Sequence, residues 1–151
     1  CSPLPMGGPP GRIVCFGEAM LRHSPNPEGW TGRTVMLDGS AHAITPGGAE
    51  YNVACALSRL GREATWVSAV PEAGADEVLG PAINAGVTLE LVESAHMLGT
   101  YRVIPKTASV EYDRADSAFA HLEPGALTSL IAALDEEHIE AINSSNFVTS
   151  T

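Results

Sequence analysis

Apolar and polar positions divide the chain into segments with different periods. Ile13-Val14-Cys15-Phe16 is a short unbroken apolar run that stops at Gly17. Unbroken apolarity suits a strand buried on both faces, as in a parallel sheet. Ala19 to Ser24 reads as its continuation, and Asn26-Pro27-Glu28-Gly29 as a turn. Val35-Met36-Leu37 and Ala41-His42-Ala43-Ile44 are two weak strands split by Asp38-Gly39. Their mixed polarity fits an exposed antiparallel flap better than a core strand. After Pro46-Gly47-Gly48 the period becomes helical: Val53, Leu57 and Leu60 fall at i, i+4 and i+7. Glu50 in the first turn and Arg59 and Arg62 near the end suit the helix dipole, and Gly61 supplies a stop.

Thr65 to Val70 reads as the next strand, closed by Pro71. Residues 74–85 make a second helix, weakened by Gly80 and Pro81 and ended by Gly86-Val87. Strand, flap, helix, strand, helix is a βαβα order, which predicts an α/β fold with a parallel sheet and right-handed crossovers. Beyond Leu89 to Val92 the pattern alternates. Thr100 to Ile104 and Ser109 to Arg114 flank Pro105-Lys106-Thr107 and predict a hairpin with one wet face, the natural partner of the flap. Glu123-Pro124-Gly125 breaks the chain. Leu127, Leu130, Ile131 and Leu134 give a third helix, and Ile139 to Ile142 leads to Phe147-Val148 as the start of another core strand. Residues 1–11, rich in Pro and Gly, read as a flexible lead-in.

Composition narrows the partners. The chain has 151 residues, enough for one domain or part of a larger one. Hydrophobic residues at 44% allow a packed core, and a formal charge of -10 disfavours nucleic acid and anionic membranes. Aromatic content of 5% leaves little for a base-stacking platform. Cys1, Cys15 and Cys55 form no CxxC pair, and Cys15 and Cys55 lie in apolar runs, so buried free thiols of a cytoplasmic protein are expected. No uncharged apolar stretch long enough to span a bilayer occurs, and no signal-peptide pattern is visible.

Two constellations offer chemistry. Gly47-Gly48-Ala49-Glu50-Tyr51-Asn52 opens the main helix. Two glycines let backbone approach a ligand, the helix start offers free N–H donors, and Asn52 could present an amide to a hydroxyl. By spacing alone the segment reads equally as a plain helix start. It is neither a Walker A loop nor a GxGxxG fingerprint. Tyr101, Tyr112 and Arg114 lie on the hairpin, and Tyr112 and Arg114, two apart, share a face. A phenol and a guanidinium on one face suit a polyhydroxy acid, since Arg pairs a carboxylate bidentately and Tyr bonds a hydroxyl. Ordinary cross-strand pairing is the alternative. His23, His42, His96, His121 and His138 are scattered without HxxH spacing, so no metal site is expected. Asp135-Glu136-Glu137 reads as a solvated helix edge, and no nucleophile elbow occurs.

The segment from Ile13 to Pro25 resembles the first strand of the ribokinase-like (PfkB) sugar kinases. Gly47-Gly48-Ala49-Glu50-Tyr51-Asn52-Val53-Ala54 with Leu57-Ser58-Arg59-Leu60-Gly61 resembles that family's N-terminal signature. Glu111-Tyr112-Asp113-Arg114-Ala115-Asp116-Ser117-Ala118 resembles the lid segment of its 2-keto-3-deoxygluconate kinase branch. The likeness runs from about Arg12 onward, in family order.

That resemblance implies a partial ribokinase-like, Rossmann-like parallel sheet with helices in residues 12–151. A small β-sheet lid would be built from about 33–46 and 99–122. It implies transfer of the γ-phosphoryl of ATP, with Mg²⁺, to a sugar acid, giving the 6-phosphate of 2-keto-3-deoxygluconate. Carried over by position, Gly47, Gly48 and Asn52 would meet sugar hydroxyls, Tyr101 and Tyr112 would line the sugar, and Arg114 would hold its acid end. Arg22 stands in the region where many family members carry an Asp, which fits an anionic substrate. The catalytic Asp of the family's Gly-Ala-Gly-Asp motif and the ATP pocket belong to its C-terminal half, so no catalytic residue is expected in these 151. The chain alone is then expected to be inactive, and ATP and Mg²⁺ to bind it poorly. An intact enzyme would be a homodimer through the lid. A non-catalytic sugar-binding or interaction module, or half of a split kinase, is the competing expectation.

Overall fold

The computed structural model describes residues 11–133 and 139–143. Two sheets stand side by side. The first has four parallel strands in the order β6-β5-β1-β9: β1 (Arg12–Phe16), β5 (Ala64–Pro71), β6 (Thr88–Ser94) and β9 (Ile139–Asn143). The second has five strands in the order β3-β4-β2-β7-β8: β2 (Met20–Pro25), β3 (Thr34–Leu37), β4 (Ser40–Gly47), β7 (Gly99–Ile104) and β8 (Ser109–Asp113). Helices α1 (Ala49–Arg59), α2 (Asp76–Ala85) and α3 (Pro124–Ala133), with a 3-10 turn at Pro105–Thr107, complete the described elements.

Every residue of β5 is buried, as its unbroken apolar run requires for a strand flanked on both edges and covered on both faces. On one face Cys15, Trp66 and Val70 pack with Tyr51, Ala54 and Cys55 of α1 and Val78 and Ala82 of α2. On the other, Val14, Phe16 and Val67 meet Phe119 and Leu122 from the segment after β8. Cys15 and Cys55 are buried. Trp66 donates its indole N–H to the Gly17 carbonyl at 2.9 Å, and Tyr51 donates its hydroxyl to the Val78 carbonyl at 2.8 Å. Polar tips of core aromatics are thus satisfied while their rings pack edge to face, centroids 5.1 Å apart.

Three sequence expectations are corrected. Ala19 to Ser24 does not continue β1. Gly17, Glu18 and Ala19 break the strand, and β2 joins the other sheet. In that sheet β2 ties β4 to β7. The flap is antiparallel as expected, but β4 is an interior strand with His42, Ala43 and Ile44 buried. The inner face of α1 is Tyr51, Ala54 and Cys55 rather than Val53 and Leu60, which are exposed. Ile139–Asn143 forms a strand parallel to β1; Phe147-Val148, the lead-in 1–10 and Asp135-Glu136-Glu137 fall outside the described residues.

Candidate functional site

Register places the lid's polar side chains. Thr45 of β4 pairs with Arg22 of β2, Arg22 with Tyr101 of β7, and Tyr101 with Tyr112 of β8. Cross-strand partners share a face, so Arg22, Tyr101 and Tyr112 form one row on one side of the lid. The two phenol rings lie 5.7 Å apart, and the Arg114 guanidinium carbon is 5.9 Å from the Tyr112 ring centre. Tyr112 is 61% exposed, so one side of its ring is open to a ligand.

The next same-face row contains Gly47, Met20 and Gly99. Here the lid meets the start of α1. A Cβ on Gly47 would sit 2.4 Å from the Tyr101 hydroxyl oxygen. Gly48, the residue before α1, has φ +120 and its Cβ would lie 2.3 Å from the Glu18 carbonyl oxygen. A side chain is excluded there both by backbone conformation and by space. A Cβ on Gly99 would lie 2.5 Å from Glu18 Oε1 and 2.9 Å from the Arg114 Cβ. The glycines therefore let three backbones and two long side chains converge.

Glu18 is the member that the sequence reading assigned no role. It leaves the carboxyl end of β1, where open parallel sheets bind ligands, and that placement is the signal that could have found it. Its side chain is buried, its Oε2 lies 3.8 Å from Arg114 Nε, and its Oε1 has no hydrogen-bond partner among the described residues. Burial pushes the carboxyl above its ordinary range, against the opposing pull of a hydrogen bond with Ser117 and the charge of Arg114. Burial likewise raises the Tyr101 phenol; the Arg22 charge opposes the rise and Tyr112 adds to it. Tyr101 stays protonated at neutral pH and can donate to a hydroxyl.

Of the residues singled out in the sequence, Gly47, Gly48, Arg22, Tyr101, Tyr112 and Arg114 thus come together. Asn52 stands on an exposed face of α1, one turn past Gly48, without a side-chain hydrogen bond to the others. The opposite face of the lid differs in chemistry. Arg102 pairs there with Asp38 and Glu111, beside a shallow hollow of about 270 Å³ that Ser40, His42 and Lys106 also line. Its guanidinium is already engaged by two carboxylates, so the tyrosine face is the one with groups to spare for a hydroxylated anion.

A parallel sheet with helices thus carries a second sheet whose polar face lies beside a glycine-opened helix. Residues 11–147 match the pfkB family of carbohydrate kinases, and the chain belongs to that family. It is 35% identical over 125 residues to the 2-dehydro-3-deoxygalactonokinase of Haloferax volcanii, covering 76% of this chain and 36% of that protein. Among solved structures it resembles the 2-dehydro-3-deoxygluconokinase of Thermotoga maritima, with 25% identity and a TM-score of 0.68 over 87% of this chain and 40% of that one. It also resembles a fructokinase with bound ATP from Xylella fastidiosa, with 25% identity and a TM-score of 0.65 over 78% and 37% of the two chains. The chain therefore spans well under half the length of these relatives.

Proposed function

We propose that these residues form the sugar-holding part of a kinase that phosphorylates a sugar acid, 2-keto-3-deoxygluconate or its galacto counterpart, at the expense of ATP. The observation that carries the reading is the single lid face bearing Arg22, Tyr101 and Tyr112, with Arg114 beside it and Gly47 beneath. Arg114 pairs the substrate carboxylate, the two phenols take hydroxyls, and Gly47 and Gly48 keep side chains out of the sugar's path. The names of the Haloferax and Thermotoga relatives support the choice of acid sugar.

ATP and Mg²⁺ supply the phosphoryl group and its charge neutralisation in such a reaction. The described residues do not fit them. The start of α1 carries Glu50 in its first turn and the buried Glu18 beside Gly48, an acidic surrounding that opposes a triphosphate. What the chain contributes is binding and orientation of the acceptor, worth much of the rate when the nucleophile is held in line. Lid-to-lid pairing of two copies belongs to the same reading; β8 is an edge strand with every residue exposed.

The test is calorimetry with 2-keto-3-deoxygluconate and fructose against the wild-type chain and Arg114→Ala. Loss of a charge-assisted pair should weaken the acid sugar by roughly 10- to 100-fold and leave the neutral ketose nearly unchanged. Equal losses for both reject the carboxylate role. The 151 residues by themselves should show no ATP-dependent phosphorylation; measurable product would refute the assignment of the nucleotide machinery elsewhere.

A further inference from the structure

His96 is distant in sequence from Asp116 and His121, and the three meet in space. His96 lies on the segment that carries the chain from β6 in the core sheet into β7 in the lid. Asp116 and His121 lie on the segment that returns from β8 to α3. The two imidazole rings stack in parallel, centroids 3.6 Å apart and planes 6° from coplanar. His96 Nδ1 and His121 Nε2 lie 3.2 and 3.3 Å from the same oxygen, Asp116 Oδ1.

The hydrogen bonding of His121 says what belongs between them. Its Nδ1 lies 3.1 Å from the Ser117 carbonyl oxygen, which can only accept, so Nδ1 carries the proton. In a neutral ring Nε2 is then a bare lone pair, and it faces a carboxylate oxygen. Two lone pairs at that distance require a positive centre, either a proton or a metal ion. A backbone carbonyl fixing one ring nitrogen while the other is presented outward is the usual support of a metal-bound histidine. The spacing fits as well. Ligands bound at about 2.0–2.1 Å in a tetrahedron stand roughly 3.3 Å apart, and the two nitrogen-to-oxygen distances are 3.2 and 3.3 Å. Parallel stacked rings cannot both aim an in-plane lone pair at one ion, so binding would turn one imidazole out of the stack, a rotation that their exposure allows.

We infer that His96, Asp116 and His121 bind a divalent transition metal of the zinc, cobalt or nickel type, which clasps the two chain crossings between core and lid. Two imidazoles and one carboxylate select such an ion over Mg²⁺, which takes oxygen ligands and keeps its waters. All three side chains reach solvent, with 36%, 85% and 41% exposure for His96, Asp116 and His121, so the ion has access and a fourth position is open to water. Because Asp116 is two residues past Arg114, the ion would also hold the end of the segment that carries this guanidinium.

Titration of the metal-stripped chain with Zn²⁺ by calorimetry, and with Co²⁺ by visible absorption, tests the inference. One Zn²⁺ should bind per chain, Co²⁺ should give the intense bands of a tetrahedral site, and the melting temperature should rise with Zn²⁺. His96→Ala, Asp116→Asn and His121→Ala should each fold normally, as exposed substitutions, and each weaken Zn²⁺ by at least about tenfold. Asp116→Asn keeps the shape and isolates the carboxylate from packing. Zn²⁺ affinity and Co²⁺ spectra unchanged in all three variants, or a single Zn²⁺ site absent from the parent chain, would overturn the metal and leave a protonated imidazole as the positive centre.

Discussion

The Tyr101 hydroxyl rests over Gly47, where a Cβ would lie only 2.4 Å from its oxygen. This contact joins the lid to the start of α1, and its cost is not in folding. Gly47 has no positive φ, and the tip of a tyrosine can swing aside. Gly47→Ala should therefore change stability by less than about 1 kcal/mol. It should displace Tyr101 and weaken the acid sugar roughly tenfold, because a misplaced hydroxyl no longer meets its partner. Paired thermal melts and calorimetry separate the two effects; unchanged sugar affinity would remove Tyr101 and Gly47 from the site.

Gly48 behaves differently one residue on. Its φ of +120 is closed to side chains, and the neighbour that a Cβ would strike at 2.3 Å is the Glu18 backbone, which cannot rotate away. Backbone strain alone costs about 1–3 kcal/mol. Gly48→Ala should lower the melting temperature by roughly 5–10 °C, with sugar binding lost in proportion to folded protein. A melt within 2 °C or so of the parent would mean the backbone relaxes freely here.

The contrast shows where the sequence was legible. The unbroken apolarity of Thr65 to Val70 states its own burial, so β5 was readable directly. The period-3.6 run from Val53 to Leu60 marked α1 as a helix but not its inner face, because Tyr51, Ala54 and Cys55 are buried while Val53 and Leu60 are exposed. Arg114 lies one residue past the end of β8, yet its guanidinium stands beside Tyr112 as the two-residue spacing suggests. The boundary after Phe16 was not legible. Gly17-Glu18-Ala19 permits either a continued strand or a change of sheet, and only the pairing of Met20 with both Gly47 and Gly99 decides it. Glu18 was invisible as a site member for the same reason: its neighbours Arg114, Gly48 and Gly99 come from three other parts of the chain. The His96–Asp116–His121 cluster is likewise created by two chain crossings and leaves no local spacing to find.

Trp66 links the core to this boundary. The ring is fully buried and its N–H holds the Gly17 carbonyl, the last fixed point before Glu18. Trp66→Phe removes that bond and leaves a void against Tyr51. Together these should cost about 2–4 kcal/mol in urea unfolding. Tyr51→Phe, which deletes only the hydroxyl donated to Val78, should cost about 1 kcal/mol. If the two variants lose the same amount, the Gly17 bond adds nothing to the fold.

Glu18 should make stability pH-dependent in a defined sense. Burial raises its folded-state value above the ordinary 4.5. Between those two values the folded chain binds more proton than the unfolded chain, so the stabilisation from Glu18 is complete below about pH 4.5 and is lost as pH rises through the folded value. Once ionised, the partly unpartnered carboxylate opposes folding. Glu18→Gln keeps the shape and removes the charge. Relative to this variant, the parent chain should lose stability as pH is raised from 4 to 8, and at pH 8 the variant should be at least as stable. Sugar binding should respond in the opposite direction: without the carboxylate 3.8 Å from its Nε, Arg114 loses an anchor, and affinity for the acid sugar should fall, though by less than in Arg114→Ala. Urea unfolding at three pH values, with calorimetry at neutral pH, reads both. A stability difference that does not vary with pH would show that Glu18 titrates alike in the folded and unfolded chains, and would end its assignment as a buried anchor of Arg114.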